Sequence, residues 1–225
     1  MNIDIDPGYM LEVVPQLLPF LPITLLIAVA SMFFAVVIGL VVALIRSAHV
    51  PVLDQLAQLY VSFFRGIPTL VQLFLIYYGL PQLFPAMSTM DALTAAIIGF
   101  SLKESSYLTE VFRAALASVD GGQYEAGIAS GMSKVQVYAR YVLPQAAYNA
   151  LPGTGNVFVS LLKETSVAFT LGLTEIFAQA KIVASASFRF FETFLVVGLI
   201  YWIIVVVYTY LQGLLEKRLS RAYRR

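Results

Sequence analysis

Hydrophobic residues run through this chain in long blocks, and about 20 consecutive apolar residues are needed for a helix to cross a bilayer core. The first clear block covers about residues 20–45 and the last about 194–211, both without Asp, Glu, Lys or Arg. Three less regular blocks between them predict spans at roughly 58–80, 91–113 and 149–172. The expected fold is an all-α integral membrane protein, a single transmembrane domain over 1–225 with about five transmembrane helices and its termini on opposite sides. The inner blocks are interrupted by polar residues. DALTAAIIGFSLKESSYLTEVFRAAL is apolar in its first half and then carries Lys103, Glu104, Ser105, Ser106, Thr109 and Glu110. The 149–172 block holds Pro152, Gly153, Gly155, Asn156, Lys163 and Glu164. A charge at such depth costs at least about 2.5 kcal/mol on insertion scales, so these helices are expected to face protein or water, with the first and last facing lipid. Glycine and proline there point to close helix contact or locally opened backbone, tolerated only away from lipid.

A polar, glycine-punctuated stretch at about 120–144 separates the third and fourth blocks, and within it QYEAGIASGMSKVQVYARYVLPQA reads as a helical elbow. Asp120 with Gln123 and Ser133 with Gln136 have the spacing of capping boxes, in which a short side chain caps the helix start and the amide reaches back. The first short helix is expected to end near Ser130, with Gly131 taking the left-handed turn. The second is expected to stop before Leu143-Pro144, since the residue before proline is disfavoured in helical geometry. Tyr124 and Ile128 share a face of the first helix; Val135, Tyr138 and Val142 share one of the second. Such an elbow suits either a connector lying on the membrane interface or a helix docked in a groove of a soluble partner.

Composition agrees with a bilayer protein: 60% of residues are hydrophobic and 12% charged, against roughly 25% charged in an average soluble domain. The net charge of +1 gives no bulk electrostatic case for nucleic acid. With no cysteine, disulfides, thiol catalysis and cysteine metal sites are excluded. The opening MNIDIDPGYMLE carries Asp4, Asp6 and Glu12 and no Lys or Arg, unlike the basic start of a signal peptide, so the first hydrophobic segment is expected to be retained. If the N-terminus is outside, the inner side receives Arg46, Arg113, Lys134, Arg140, Lys217, Arg218, Arg221, Arg224 and Arg225, and the outer side only Lys181 and Arg189. That bias places the C-terminus and the elbow in the cytoplasm. Asp91 reads as the outer start of the third helix, favoured at its positive dipole end. His49 reads as solvated, with no metal-ligand spacing near it. The tail RLSRAYRR suits anionic headgroups, and Tyr201 and Trp202 fall deep enough in the last span to be expected in packing.

The frame Glu125-Ala126-Gly127, Gly131, Tyr141 and Leu143-Pro144 resembles the EAA loop of permease subunits of bacterial ABC importers. Gly127 stands where that loop usually has a third alanine, and Tyr141 where it has an aliphatic residue. SFFRGIPTLVQLFLIYYGLP (62–81) is similar to the FRGTP-type stretch of polar amino acid permeases, with Ile67 for the usual threonine. SSYLTEVFRAALASVDGGQYEAG, LLKETSVAFTLGLTEIF (161–177) and FETFLVVGLIYWIIVVVYTYLQGLLEKRLSR also resemble that subgroup, the last resembling L-cystine permeases. The resemblance implies a permease of the bacterial inner membrane importing a polar amino acid, with cystine favoured. It implies that Glu125, Ala126, Gly127, Gly131, Leu143 and Pro144 form the coupling element. The implied partners are a dimer of nucleotide-binding ATPase subunits carrying ATP and Mg, an extracytoplasmic binding protein, membrane lipid, and a second permease, identical or paralogous.

No G-x-x-x-x-G-K-[ST] phosphate loop occurs, so ATP hydrolysis is expected on another chain, and this chain is expected to be no enzyme and to bind no cofactor itself. An amino acid zwitterion needs a cation for its carboxylate and an acceptor for its ammonium, and Lys103, Glu104, Lys163 and Glu164 offer both. Adjacent residues on a helix do not face each other, so one member of each Lys-Glu pair is expected toward the pathway and the other toward a neighbouring helix. The alternative is that these are interhelical salt bridges that fix register, because buried ions are usually paired. Arg65, beside Gly66 and Pro68, is either a pathway residue or a snorkelling, structural arginine. Readings from other classes are a channel, which lacks a repeated filter segment; a secondary transporter, which lacks a clear internal repeat; and an intramembrane enzyme, which lacks a catalytic constellation.

Overall fold

A computed structural model describes residues 5–223, with side chains through residue 219. Asp4, Arg224, Arg225 and the side chain of Arg221, all named above, lie outside the described residues. Helix α1 (Pro7–Leu17) begins at Asp6, whose carboxylate accepts the Tyr9 N–H at 3.0 Å, with Pro7 at the first helical position. A short 3-10 turn leads directly into α2 (Leu21–Ser47), so the apolar stretch is helical from residue 7 and not only from 20. The sequence reading contains no α1, because its acidic flanks mask a helix that buries Val13 and Leu17.

Helix α3 (Pro51–Gly66) is followed by α4 (Thr69–Phe74), a wide π turn (Leu75–Gly79) and α5 (Leu80–Leu83). The stretch expected to span at 58–80 is therefore two helical arms that meet at 110°. Pro68 holds Ile67 extended, at φ −103° and ψ 138°. Gln72 then secures the bend, its amide donating to the carbonyls of Phe64 (2.9 Å) and Ile67 (2.6 Å) that the broken helix leaves open. Helix α6 (Ala92–Ala117) starts at Asp91 as the sequence predicts, the carboxylate accepting from Thr94 N–H at 2.7 Å. The elbow helices α7 (Gly121–Ala129) and α8 (Lys134–Val137) lead through a second π turn (Tyr138–Val142) into α9 (Leu143–Glu164). A 3-10 segment (Thr165–Leu171) follows, then α10 (Ile176–Ser187) and α11 (Phe190–Tyr223).

Two stretches, Pro7–Ser47 and Phe190–Leu219, are long and apolar enough to cross a membrane, and up to four are if each bent pair counts as one span. Helix α6, whose 26 residues reach about 39 Å at the α-helical rise, is long enough but carries four charges. The expected five is reached only by adding it.

Helix α6 is the axle of the fold, buried on most of its circumference as expected for an interior span. Against it α2 lays a seam of small residues, Ala28, Ser31, Ala35, Gly39 and Ala43, recurring at three or four positions. Small side chains let backbones approach closely. A Cβ on Gly39 would sit 2.9 Å from Leu108 Cβ. The Ser101 hydroxyl donates across the seam to Ser31 O at 3.3 Å. The opposite faces of α2 and α11 are apolar and outward, with Phe33, Phe34, Val37, Leu199, Trp202 and Ile203 exposed. Trp202 is thus not packed within the described chain, whereas Tyr201 turns inward. One core joins α2, α4, α6 and α9 around Phe100 and Leu161; a second joins α1, α10 and α11 around Leu17, Ile176 and Val196.

Candidate functional site

Helices α6 and α9 bring Lys103, Glu104 and Glu164 into one cluster. Lys103 Nζ donates to Glu104 Oε1 at 2.8 Å and to Glu164 of α9, which the Thr69 hydroxyl approaches at 3.5 Å. Lys103 and Glu104 are almost wholly buried, and Glu164 is about one-third exposed, with its side chain 31% accessible. The expectation that neighbouring residues point apart fails at Lys103 and Glu104: the four-carbon lysine stem curls back to its own neighbour. It holds at residues 163 and 164, where Glu164 joins the cluster and Lys163 is exposed outside it. Two carboxylates thus share one ammonium, and one of the bonds ties α6 to α9. Arg65 does not enter this cluster. Its guanidinium lies over the Tyr107 ring, 5.2 Å from the centroid, and Lys103 Nζ lies 5.3 Å from the same centroid.

Toward the end of α6, Glu110 receives Arg46 of α2 and Arg113, the latter at 2.8 Å, while Asp54 of α3 lies 3.6 Å from Arg46 Nε. Residue pattern alone gives neither this group nor Tyr107 a role in the site. Spacing could have found both, since residues 103, 107 and 110 share a helix face. A third polar node was also missed. Glu175, wholly buried, caps α10 by accepting from Ala178 N–H at 2.8 Å and takes the hydroxyls of Thr24 and Tyr201, each at 3.3 Å. It joins α2, α10 and α11 from positions far apart in sequence.

The elbow carries the remaining predicted residues. At its start Asp120 accepts from Gly122 N–H at 2.8 Å, and the Gln123 N–H goes to the Asp120 carbonyl, so the first expected capping box does not form. A Cβ on Gly122 would lie 3.2 Å from that carboxylate oxygen. Gly131 adopts φ +80°, and Met132 N–H bonds Gly127 O at 3.1 Å to close the helix end. The second box forms as predicted, Gln136 N–H to Ser133 Oγ at 3.3 Å and Ser133 N–H to Gln136 Oε1 at 2.9 Å. Gly127 faces the buried Val137, and a Cβ there would lie 2.6 Å from a valine methyl. The alanine usual at this position of an EAA loop would collide.

The second elbow helix does not stop at Leu143-Pro144. The Leu143 N–H reaches back five residues to Tyr138 O, and this wide turn makes room for Pro144, which lacks an N–H and would crowd an ordinary α turn. Leu80-Pro81 is accommodated in the same way, Leu80 N–H bonding Leu75 O. The helix consequently runs from Lys134 to Leu171. Glu125 is exposed, with no ion pair among the described residues, and Ile128, Val135, Tyr138 and Tyr141 give the elbow an exposed apolar surface. Farther along α9, a Cβ on Gly153 would meet Val111 of α6 at 2.8 Å, and one on Gly155 would meet the Gln212 amide of α11 at 2.0 Å. The glycines of this span thus serve close helix contact, as the sequence predicts.

Comparison with known proteins supplies the context for these features. The sequence profile described as "Binding-protein-dependent transport system inner membrane component" matches residues 35–221. The probable amino-acid permease protein YxeN of Bacillus subtilis (strain 168) is 59% identical over 220 residues, covering 98% of each chain. The L-cystine transport system permease protein TcyL of the same organism is 37% identical, covering 93% of this chain and 90% of its own. The crystal structure of an amino acid ABC transporter with histidines superposes with a TM-score of 0.86 at 32% identity, covering 97% of this chain and 100% of the solved one.

Proposed function

Because the chain belongs to the family of binding-protein-dependent transport system inner membrane components and is a permease subunit of an amino-acid ABC transporter, we propose that it imports a polar amino acid by passing force from a separate ATPase into its own interior helices. The observation that carries this is the unbroken helix from the elbow at Lys134 through α9 to Leu171. It connects an exposed docking surface to Glu164, which holds Lys103 inside the helix bundle. A displacement of the elbow along that rod reaches the buried ion cluster directly.

In this reading Glu125, Ala126, Gly127, Gly131, Leu143 and Pro144 form the element that enters a cleft on the ATPase subunit, where ATP and Mg are held. The cytoplasmic side is the one richer in Lys and Arg, so the N-terminus is outside. The polar faces of α6 and α9 call for a second permease, a copy or close paralogue, about an axis along the membrane normal. A binding protein delivers the amino acid outside, and nucleotide and loaded binding protein bias a two-state bundle from opposite sides. Lys103, Glu104, Glu164 and Arg65 border the pathway. Lys103 serves as cation toward a carboxylate and the two glutamates as acceptors toward an ammonium. Cystine is the favoured cargo, supported by the C-terminal likeness to cystine permeases and by the 37% identity to TcyL.

The test is uptake into proteoliposomes by the complete complex, with and without ATP and binding protein. Wild type is expected to require both. Glu125→Gln and Gly131→Trp are expected to retain membrane insertion and ATP hydrolysis while uptake falls at least about tenfold, the effect of losing roughly 1.4 kcal/mol of coupling. Normal uptake by Gly131→Trp refutes the docking role of the elbow. Uptake by this chain without an ATPase subunit would instead establish a secondary transporter or channel.

A further inference from the structure

The polar face of α6 continues past the buried cluster. Lys103, Tyr107 and Glu110 recur at four and three positions and so lie along one face of the helix. Beyond the Tyr107 ring, Arg46, Gln58, Ser62, Arg65 and Tyr107 line a cavity of about 530 Å³. That volume falls in the roughly 300–1,000 Å³ range of small-molecule sites.

The charge along this face changes sign. At the inner end Glu104 and Glu164 share Lys103, a surplus of negative charge. Toward the C-terminal end of α6 Glu110 and Asp54 balance Arg46 and Arg113. Arg65, exposed and on the last turn of α3, forms no ion pair among the described residues, and the Glu110 carboxylate within its electrostatic reach is already paired with Arg46 and Arg113, so the cavity carries a surplus of positive charge. Lys103 gives up two of its three N–H donors to glutamates. Arg65 gives up none, and its planar guanidinium matches a carboxylate with two parallel hydrogen bonds. It also stands immediately before Gly66 and the 110° break, where a change of bend would move it.

We propose that this cavity is the release site for the amino acid on its way out of the bundle, in which Arg65, held over the Tyr107 ring, takes the α-carboxylate. The inference rests on the importer reading above and adds a site at the far end of the pathway. Arg65 there binds cargo; Tyr107 is a positioning residue.

The experiment uses the complete complex in proteoliposomes with ATP inside and binding protein outside. L-cystine, L-arginine and L-glutamine are offered in turn, and the initial rate is followed against increasing preloaded internal amino acid. For the amino acid that wild type imports, Arg65→Gln is expected to raise the half-inhibitory internal concentration about tenfold or more, the loss of one charge-assisted contact. The half-saturating external concentration should change less than about twofold, since no contact on that side is lost. Arg65→Lys is expected to restore part of the internal inhibition. Ser62→Glu, one helical turn from Arg65 on an exposed position, places a competing carboxylate beside an intact Arg65 and is expected to act like Arg65→Gln. Tyr107→Leu is expected to shift the internal inhibition while Tyr107→Phe leaves it near wild type. Inhibition curves for Arg65→Gln and Ser62→Glu that match wild type overturn the release site and leave the importer reading standing. Absence of ATP-dependent uptake of all three amino acids by wild type overturns both.

Discussion

Helix α6 carries two ion clusters with oppositely charged centres. Around Lys103 two carboxylates share one ammonium; around Glu110 two guanidiniums share one carboxylate. They lie seven residues apart on one helix, about 10 Å along its axis. Their most and least sheltered members differ sharply, the Glu104 side chain being 2% exposed and that of Arg113 46%, while Glu164, Glu110 and Arg46 lie between at 31%, 25% and 19%. Lys103 and Glu104 must stay together because either left alone is stranded away from water, while Glu164, 31% exposed, reaches solvent. In the outer cluster the Arg113 contact can open and close, since water and salt replace it when it is lost, whereas Arg46 is only 19% exposed. The same helix thus joins a fixed ionic lock to an adjustable one, with Tyr107 between them.

The comparison is broken most severely at Lys103. Lys103→Met leaves Glu104 buried without its cation and is expected to cost about 3–5 kcal/mol, read as a fall in the thermal midpoint of the detergent-purified protein. Adding Glu104→Leu and Glu164→Gln should recover most of that loss, because an apolar group of similar volume replaces the buried ion at little cost and residue 164 is partly exposed. A triple variant no more stable than the single one contradicts the desolvation account. Gly131→Ala in the elbow supplies a reference without charge. At φ +80° a side chain costs about 1–2 kcal/mol, and the loss should be the same at low and high salt.

Arg113→Gln, at the exposed arm of the outer cluster, should cost no more than about 1 kcal/mol, and raising the salt should shrink that difference, while the Lys103→Met effect persists. A salt-insensitive Arg113→Gln would place the outer cluster in the same class as the inner one. The smallest effect is expected at the rim, where Asp6 meets Arg189 at 2.6 Å with both side chains well exposed. The Arg189 guanidinium, helped by the Tyr9 N–H, holds the Asp6 carboxyl below its ordinary value of 3.8. A carboxyl lowered in the folded state contributes stability above that value and loses it as pH falls through the lowered one. The small difference between wild type and Asp6→Asn, which still caps α1, should therefore be constant above pH 3.8 and vanish below it in a pH series of thermal midpoints.

Much of this arrangement is legible in residue pattern alone. The clean end blocks announce outward apolar helices, Asp91 and the Ser133–Gln136 pair mark helix starts, Gly131 marks a left-handed turn, and the charges of α6 mark it as interior. Other features depend on geometry that pattern does not carry. Hydropathy averages across Gly66-Ile67-Pro68 and hides a bend that Gln72 stabilises from beyond the break. Proline before residues 82 and 145 reads as a stop unless a widened turn is considered. Neighbour rules based on Cβ direction miss that a lysine stem can fold back on residue 104. Glu175 has no cation to reveal it, since Thr24, Ala178 and Tyr201 satisfy it from three separate helices.

The widened turn at Tyr138–Val142 sets the angular phase of everything downstream. It accommodates one residue more than an ordinary turn, and one residue corresponds to about 100° of rotation and 1.5 Å of advance. Were it to tighten without losing a residue, α9 would screw forward and swing Glu164 through more than a quarter of a circle away from Lys103. Pro144, by keeping the turn wide, acts as the clocking pin of the bundle.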